Sequence, residues 1–322
     1  MSWLPACLCA VPVALVVDWC WGEPPAWAHP VVAMGRYLGA IGPRLTALSP
    51  GAAFVGGAMA WVWGACIVAV LALGAEMLWR WLVAQWTASP LALVLLQGLG
   101  LGLLLKPLLA WRMLRDEVAG VEQALARSLP DGRARLQRLV SRDVSELDEV
   151  AVRESAIESL AENLNDSLVA PLFWFAVAGL GGAAVYRFAN TADAMWGYRG
   201  RYEWAGKWAA RVDDALSWVP ARLTACLLCL AALQWPAWRD ARAQARLTPS
   251  PNGGWPMGTM ALLLGVALRK PGVYALNAQA GGPTALHTAW ALRWCGRAVW
   301  WAGALCMASL CGRALLVAEG WL

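Results

Sequence analysis

Two stretches of 24 residues, Ala52 to Ala75 and Leu82 to Leu105, contain no charged side chain. A helix of that length rises about 36 Å, enough to cross the roughly 30 Å hydrocarbon layer of a bilayer. Within lipid every backbone N–H and C=O must be paired internally, so such stretches can only be helices here. Glu76 and Arg80 fall between them and read as the turn of a helical hairpin. Composition agrees: 60% of the residues are hydrophobic and 15% charged, where a soluble chain carries about 25% charged. The expected fold is all-α, a polytopic helical integral membrane protein forming a single membrane domain over residues 1–322.

The remaining segments are read by the same rule. Trp3 to Val17 is apolar but short, and no Lys or Arg precedes it, which argues against a cleaved signal peptide. Leu223 to Trp238 is apolar, Met257 to Leu268 is too short to cross, and Ala298 to Ala318 reads as the last span, with Arg313 inside it or snorkelling. Lys106 to Ser167 is the only long polar insertion. Its nine basic residues place it in the cytoplasm by the positive-inside rule. Within it, Ser128 to Arg133 reads as a turn between amphipathic helices, and Ser141 to Asp148 as a loop leading to a polar helix. Leu168 to Tyr186 is uncharged but interrupted by Pro171 and by Gly179-Leu-Gly-Gly182. It is either a kinked span or two half-helices; we favour a re-entrant hairpin, which keeps the polar segments before and after it on one side.

On the polar helix from Arg153, Glu154, Glu158, Glu162 and Asp166 recur every four residues, a single stripe of carboxylates. Like charges at that spacing repel, so the stripe is either a solvated face or is met by something positive. Asp18, Glu23 and His29 lie among helix-breaking Gly22, Pro24, Pro25 and Pro30, where they either cap and pack a turn or converge on a ligand. Asn190 and Asp193 share a helical face, and with Arg199 and Arg201 they have the donors and acceptors of a phosphate clamp. Arg222 stands at the mouth of an apolar run with Asp213 and Asp214 as its nearest candidate partners. Thr248 to Pro256 reads as a loop that cannot be helix, offering Ser250, Asn252 and the backbone N–H groups of Gly253 and Gly254 to an anion.

The nine cysteines lie in apolar helices with no histidine at ligand spacing, so they read as buried thiols and no structural zinc is expected. Most of the 23 tryptophans read as interfacial belt residues, while Trp19, Trp21, Trp27, Trp196 and Trp255 stand where they could stack on a large flat ligand. A net charge of +5 with no basic run interleaved with exposed aromatics speaks against a nucleic-acid partner.

Taken together, Asp18…Gly22-Glu-Pro…His29-Pro-Val…Met34-Gly, Glu158-Ser-Leu-Ala-Glu-Asn-Leu-Asn-Asp-Ser-Leu-Val-Ala-Pro-Leu-Phe173, Tyr186 to Arg199, Ala210-Arg-Val-Asp-Asp214…Pro220-Ala-Arg-Leu-Thr-Ala225 and Ser250-Pro-Asn-Gly-Gly-Trp-Pro256 resemble the CobD/CbiB family. That family is the membrane-bound adenosylcobinamide-phosphate synthase of cobalamin biosynthesis. The resemblance implies an ATP-dependent C–N ligase joining the propionate carboxylate of adenosylcobyric acid to (R)-1-aminopropan-2-ol phosphate. It implies ATP and Mg²⁺, with the corrinoid as substrate, and a multi-pass protein of the cell inner membrane whose site faces the cytoplasm. Catalytic roles then fall to Glu158, Glu162, Asp166, Asp193, Asp213 and Asp214, with Glu162 and Asp166 on Mg²⁺. Substrate binding falls to Asp18, His29, Asn163, Asn190, Arg199, Arg201, Arg222, Ser250 and Asn252. Partners beyond the two substrates and membrane lipid are further copies of the chain or other proteins of the pathway.

The chain departs from the family pattern in places. Thr248 stands where a histidine is usual, Met257 where a glutamate is, and Ala275 and Leu276 where glycines are; Glu23 replaces an aspartate and keeps the charge. Two other readings share the helical scaffold. One is an AmpE-like membrane sensor without catalysis, which has no need of so many acids at the membrane surface. The other is a corrinoid transporter subunit, which calls for charged residues lining several spans.

Overall fold

The computed structural model describes residues 3–198, 200–236 and 238–318. In chain order its helices are α1 (Trp3–Trp21), α2 (Pro30–Leu45), α3 (Pro50–Trp86), α4 (Pro90–Leu105), α5 (Trp111–Leu125), α6 (Leu129–Leu136), α7 (Glu149–Leu164), α8 (Ala170–Trp196), α9 (Lys207–Leu216), α10 (Trp218–Ala232), α11 (Trp238–Ala245), α12 (Gly254–Leu264) and α13 (Ala285–Ala318). A two-stranded antiparallel hairpin, β1 (Leu268–Lys270) and β2 (Tyr274–Leu276), pairs Arg269 with Ala275. Among the described residues five helical segments are long and apolar enough to cross a membrane, or six if the pair α9 and α10, bent by 47°, counts as one. The protein is a polytopic helical membrane protein. Two compact units are interleaved along the chain: residues 1–110, 170–216 and 303–322 form one, and 111–169 with 217–302 the other.

In the first unit, small residues let helices approach closely. A Cβ on Gly98 or Gly102 of α4 would strike Cys9 or Val13 of α1, and one on Gly64 of α3 would strike Phe188 of α8. The uncharged runs do form α3 and α4, but Glu76 and Arg80 are not in the turn between them. They lie inside α3, 3.7 Å apart at i,i+4, so the pair offsets its own charge and the helix continues to Trp86. The turn falls at Thr87 to Ser89 instead, where Ser89 caps α4 and Pro90 opens it.

The glycine-interrupted segment breaks where the sequence reading placed the break. Ala178 has φ −134° and Gly179 has φ 65°, ψ −157°, a region open essentially to glycine alone. The corner is sharp: a Cβ on Gly182 would come within 2.6 Å of the Trp174 carbonyl oxygen, residues about 12 Å apart along a straight helix. Its first arm, Ala170 to Ala178, rises only about 13 Å and cannot cross alone. Arg313, half-buried in the apolar second half of α13, donates to the Ala176 and Val177 carbonyls left unpaired at that arm's end.

In the second unit, α7 packs against α5, α6, α12 and β1, and α10 against α12. Several boundaries differ from the sequence reading. Ser128 to Arg133 is not a turn: Ser128 caps α6, accepting from Asp131 N, and Pro130 is tolerated in its first turn. Gly254 to Pro256, read as part of a loop, form the first turn of α12 for the same reason. The last helix begins at Ala285, not Ala298, because Arg293 and Arg297 lower its hydropathy without interrupting it.

Candidate functional site

In the second unit two of the four carboxylates of the stripe, Glu154 and Glu158, are met by positive charge, one of the two outcomes open in the sequence. Asp148 caps α7 by accepting from Ala151 N at 2.8 Å. Glu154, 3% exposed, accepts from the Arg269 guanidinium at 2.7 Å and from the Arg269 backbone N–H at 3.3 Å. Glu158, 5% exposed, lies 3.4 Å from Arg142, which also donates to Ser155. Arg153 holds Glu122 through two nitrogens and reaches Glu149 at 2.6 Å. None of these cationic partners was picked out as a site residue from sequence, because each lies on a different element from its carboxylate or was read only as a mark of membrane sidedness.

After Leu164 the helix widens into a π turn, Asn165–Val169. Such turns are uncommon and recur at functional sites. Here Asn165 donates to Asp166 at 2.8 Å and accepts from the buried Thr224 hydroxyl at 3.1 Å. Glu162, Asn163 and Asp166 are half-buried at the same turn. A Cβ on Gly253 would lie 3.0 Å from Glu162 Oε1 and 3.3 Å from Met257 Cε, so the loop glycine is what allows the loop to approach the carboxylate. Tyr274 of β2 reaches Met257 Sδ at 3.7 Å. Burial, and then the charges of Glu158 and Glu162, push the Tyr274 phenol far above its ordinary range, which keeps it a neutral donor. Glu158, Glu162, Gly253, Met257 and Tyr274 thus form one neighbourhood. Met257 stands inside it, where the resemblance implied a glutamate.

The loop before α12 is organised internally. Ser250 Oγ accepts from the backbone N–H groups of Asn252 and Gly253, so the Gly253 N–H is not open to an anion as the sequence reading had it. Arg222 donates to Asn252 Oδ1 at 3.1 Å and lies over the rings of Trp218 and Trp255. Thr248, in place of the usual histidine, donates to the Ala245 and Ser250 carbonyls and closes the turn.

In the first unit Asp18, Glu23 and His29 converge, and the centre they converge on is Lys106. Its ammonium lies 3.3 Å from Asp18 and 3.0 Å from Glu23, with Asp18 1% and Lys106 3% exposed. His29 Nδ1 accepts from Val31 N, which leaves Nε2–H to donate to Glu23 at 2.9 Å while the ring caps α2. Burial raises the Glu23 carboxyl, but the His29 hydrogen bond and the Lys106 charge outweigh it and hold it below its ordinary value. Lys106 was missed because it is more than 80 residues from its partners in sequence. Asn190 accepts from Arg187 at 3.2 Å, Asp193 sits where any side chain on Gly197 would collide with it, and Asp213 is buried with Asp214 half-buried. Arg199 lies outside the described residues, and Arg201 is exposed, over the Tyr202 ring. Trp196 is 1% exposed and cannot stack on a ligand.

Among the described residues no three His, Cys, Asp or Glu side chains are grouped closely enough to hold a metal by themselves. Glu162 and Asp166, half-buried on successive turns, fit the habit of Mg²⁺, which takes one or two carboxylates and completes its shell with water and substrate phosphates.

Fold and site define a multi-pass helical membrane protein that gathers buried, arginine-paired carboxylates on a helix leading into an apolar segment. The family model described as CobD/Cbib protein matches residues 11–316. The chain is 42% identical to the cobalamin biosynthesis protein CobD of Stutzerimonas stutzeri, covering 89% of this chain and 93% of the relative. Against the protein of the same description from Chromobacterium violaceum it is 39% identical, covering 93% and 95%. The probable cobalamin biosynthesis protein CobD of Thermococcus kodakarensis is 41% identical over 81% of this chain and 82% of its own. No solved structure matches. The chain belongs to the CobD/CbiB family of cobalamin biosynthesis proteins.

Proposed function

We propose that the protein is an adenosylcobinamide-phosphate synthase, forming the amide between the propionate carboxylate of adenosylcobyric acid and (R)-1-aminopropan-2-ol phosphate at the expense of ATP. The observation that carries this reading is the convergence of Glu158, Glu162, Tyr274 and the Ser250 to Gly253 loop beside a π turn, in a member of a cobalamin biosynthesis family.

A carboxylate is inert to amines until one of its oxygens becomes a leaving group. In the proposed reaction the propionate oxygen attacks the γ-phosphorus of ATP, releasing ADP; the neutral amine then attacks the acyl carbon, phosphate departs, and the amine proton goes to a base. Mg²⁺, when bound, neutralises charge on the transferring phosphoryl group. Glu162 and Asp166 would hold it, with Asn163 beside them. Arg222, fixed by Asn252 and two indole rings, gives a rigid guanidinium suited to a phosphate. Tyr274 donates a proton-bearing hydroxyl that does not ionise near neutrality. Asp213 or Asp214 takes the amine proton, Asp193 is a further carboxylate available to the metal, and Asp18, His29, Asn190, Arg199 and Arg201 contact the substrates. The site faces the cytoplasm from the cell inner membrane.

The test is a mass-spectrometric assay of detergent-purified protein with adenosylcobyric acid, aminopropanol phosphate and Mg-ATP. Adenosylcobinamide phosphate should accumulate in step with ADP. Intact substrates and folded protein with no product would overturn the proposal.

A further inference from the structure

In the second unit the first three turns of α13 bring His287, Trp290, Arg293, Trp294 and Arg297 to one side of a cavity of about 480 Å³. Its other wall is Ala232 and Gln234 at the end of α10, with Leu263 and Leu264 at the end of α12. Every ionisable group lining it is basic or histidine. The groups are held in place. Arg297 donates to the Ala231 carbonyl at 3.1 Å, which uses one of its five donors. Arg293 lies 5.3 Å from the Trp290 ring, and Trp290 packs on Trp294. His287 Nδ1 accepts from Thr284 N at 2.9 Å, so the neutral ring carries its proton on Nε2, as a donor.

The surroundings are apolar. Leu233, Trp235 and Leu286 are exposed next to this cavity, and Ala285 opens a segment long enough to cross a membrane. Arginines and tryptophans at the end of a span, above exposed leucines, match the level at which lipid headgroups meet acyl chains.

We propose that this cavity binds the headgroup of an anionic phospholipid. Arg293 and Arg297 take the phosphate, His287 and Gln234 donate to its remaining oxygens or to the headgroup hydroxyls, and the acyl chains run over Leu264 and Leu286. Charge selects the occupant: Arg293 already lies over the Trp290 ring, and a lining with two arginines and no carboxylate repels a choline or ethanolamine cation while attracting a headgroup of net negative charge. The site is independent of the proposed reaction.

Native mass spectrometry of the full detergent-purified chain tests this with phosphatidylglycerol and phosphatidylcholine offered at equal concentration. The wild type should retain phosphatidylglycerol at least tenfold more than phosphatidylcholine. Arg293→Gln, at an exposed position, should lose most of that preference, Arg293→Lys should keep part of it, and Gln234→Glu, which adds a like charge to the wall, should lose it while unfolding at the same temperature as the wild type. Equal retention of the two lipids, or a preference untouched by both Arg293→Gln and Gln234→Glu, would overturn the assignment. So would displacement of the lipid by glycerol phosphate as effective as displacement by intact phosphatidylglycerol, since the site would then take a soluble phosphate.

Discussion

Arg313 donates to the Val177 carbonyl oxygen at 2.9 Å, joining α13 to the end of the first arm of the broken helix α8. A second bond from the same nitrogen reaches Ala176. A helix that stops inside an apolar layer leaves carbonyls with no N–H one turn ahead, and water is not there to meet them. One guanidinium satisfies two of them, which explains the single arginine in the apolar second half of α13, from Ala298 to Ala318.

Arg313→Leu should therefore destabilise the protein by about 1–3 kcal/mol for each carbonyl left unpaired, with little direct effect on ligand affinity. Thermal unfolding in detergent measures it, and Arg313→Lys should recover part of the loss. An unchanged midpoint for Arg313→Leu would show that the two bonds carry no stability.

Gly179→Ala tests the corner itself. Its φ and ψ belong to a region that a Cβ excludes, at a cost of about 1–3 kcal/mol, so the variant should unfold earlier or fail to accumulate. Gly181→Ala, two residues on, is the control: a Cβ there meets only Leu73 side-chain atoms, at 3.4 Å, and should be tolerated.

Much of this architecture was legible in the sequence because the bilayer makes it so. The 24-residue uncharged runs fixed α3 and α4, and a row of carboxylates every fourth residue left two outcomes, a solvated face or facing cations, of which Glu154 and Glu158 take the second. The glycine break in α8 was readable because glycine is the residue such backbone demands. What was not legible depended on contacts distant in sequence. Lys106 looked like one more residue of a basic loop, although it holds Asp18 and Glu23; Arg142 and Arg269 looked unremarkable until their carboxylates were placed beside them. Glu76 and Arg80 misled the placement of a turn because a pair that offsets its own charge does not behave as two charges do.

The carboxylates at the π turn carry the metal assignment. Glu162→Gln should raise the Mg²⁺ concentration needed for half-maximal synthase activity by roughly 10–100-fold, and Asp166→Asn should do the same, while unfolding temperature stays near that of the wild type. Full activity with unchanged Mg²⁺ dependence in Glu162→Ala or Asp166→Ala would remove both residues from the metal site.

Tyr274→Phe should lower kcat by about 10²-fold if its hydroxyl donates in the reaction. Because burial and the neighbouring glutamates keep that phenol protonated well above neutrality, the alkaline side of the pH profile should have the same shape in wild type and variant. An alkaline limb that vanishes with the hydroxyl would mean that Tyr274 titrates in the working range and that the reading of its environment is wrong.

Lys106 is the residue on which the first unit's polar cluster depends. Removing it by Lys106→Met leaves the buried Asp18 and the half-buried Glu23 without their cation, a loss of about 3–5 kcal/mol by comparison with other broken buried pairs, most of it from Asp18. The pH dependence has a definite sign. Glu23 is held below its ordinary 4.5 in the folded protein, so its contribution is complete above 4.5 and disappears as pH falls through the lower, folded value. In Lys106→Met the desolvation that remains favours the protonated carboxyl, so the variant should lose least stability in acid and most near neutrality, narrowing its gap to the wild type as pH drops. Adding Asp18→Asn to Lys106→Met should restore part of the loss by removing one of the stranded charges. A gap that stays constant from neutrality to pH below 4.5 would show that Lys106 acts through packing alone.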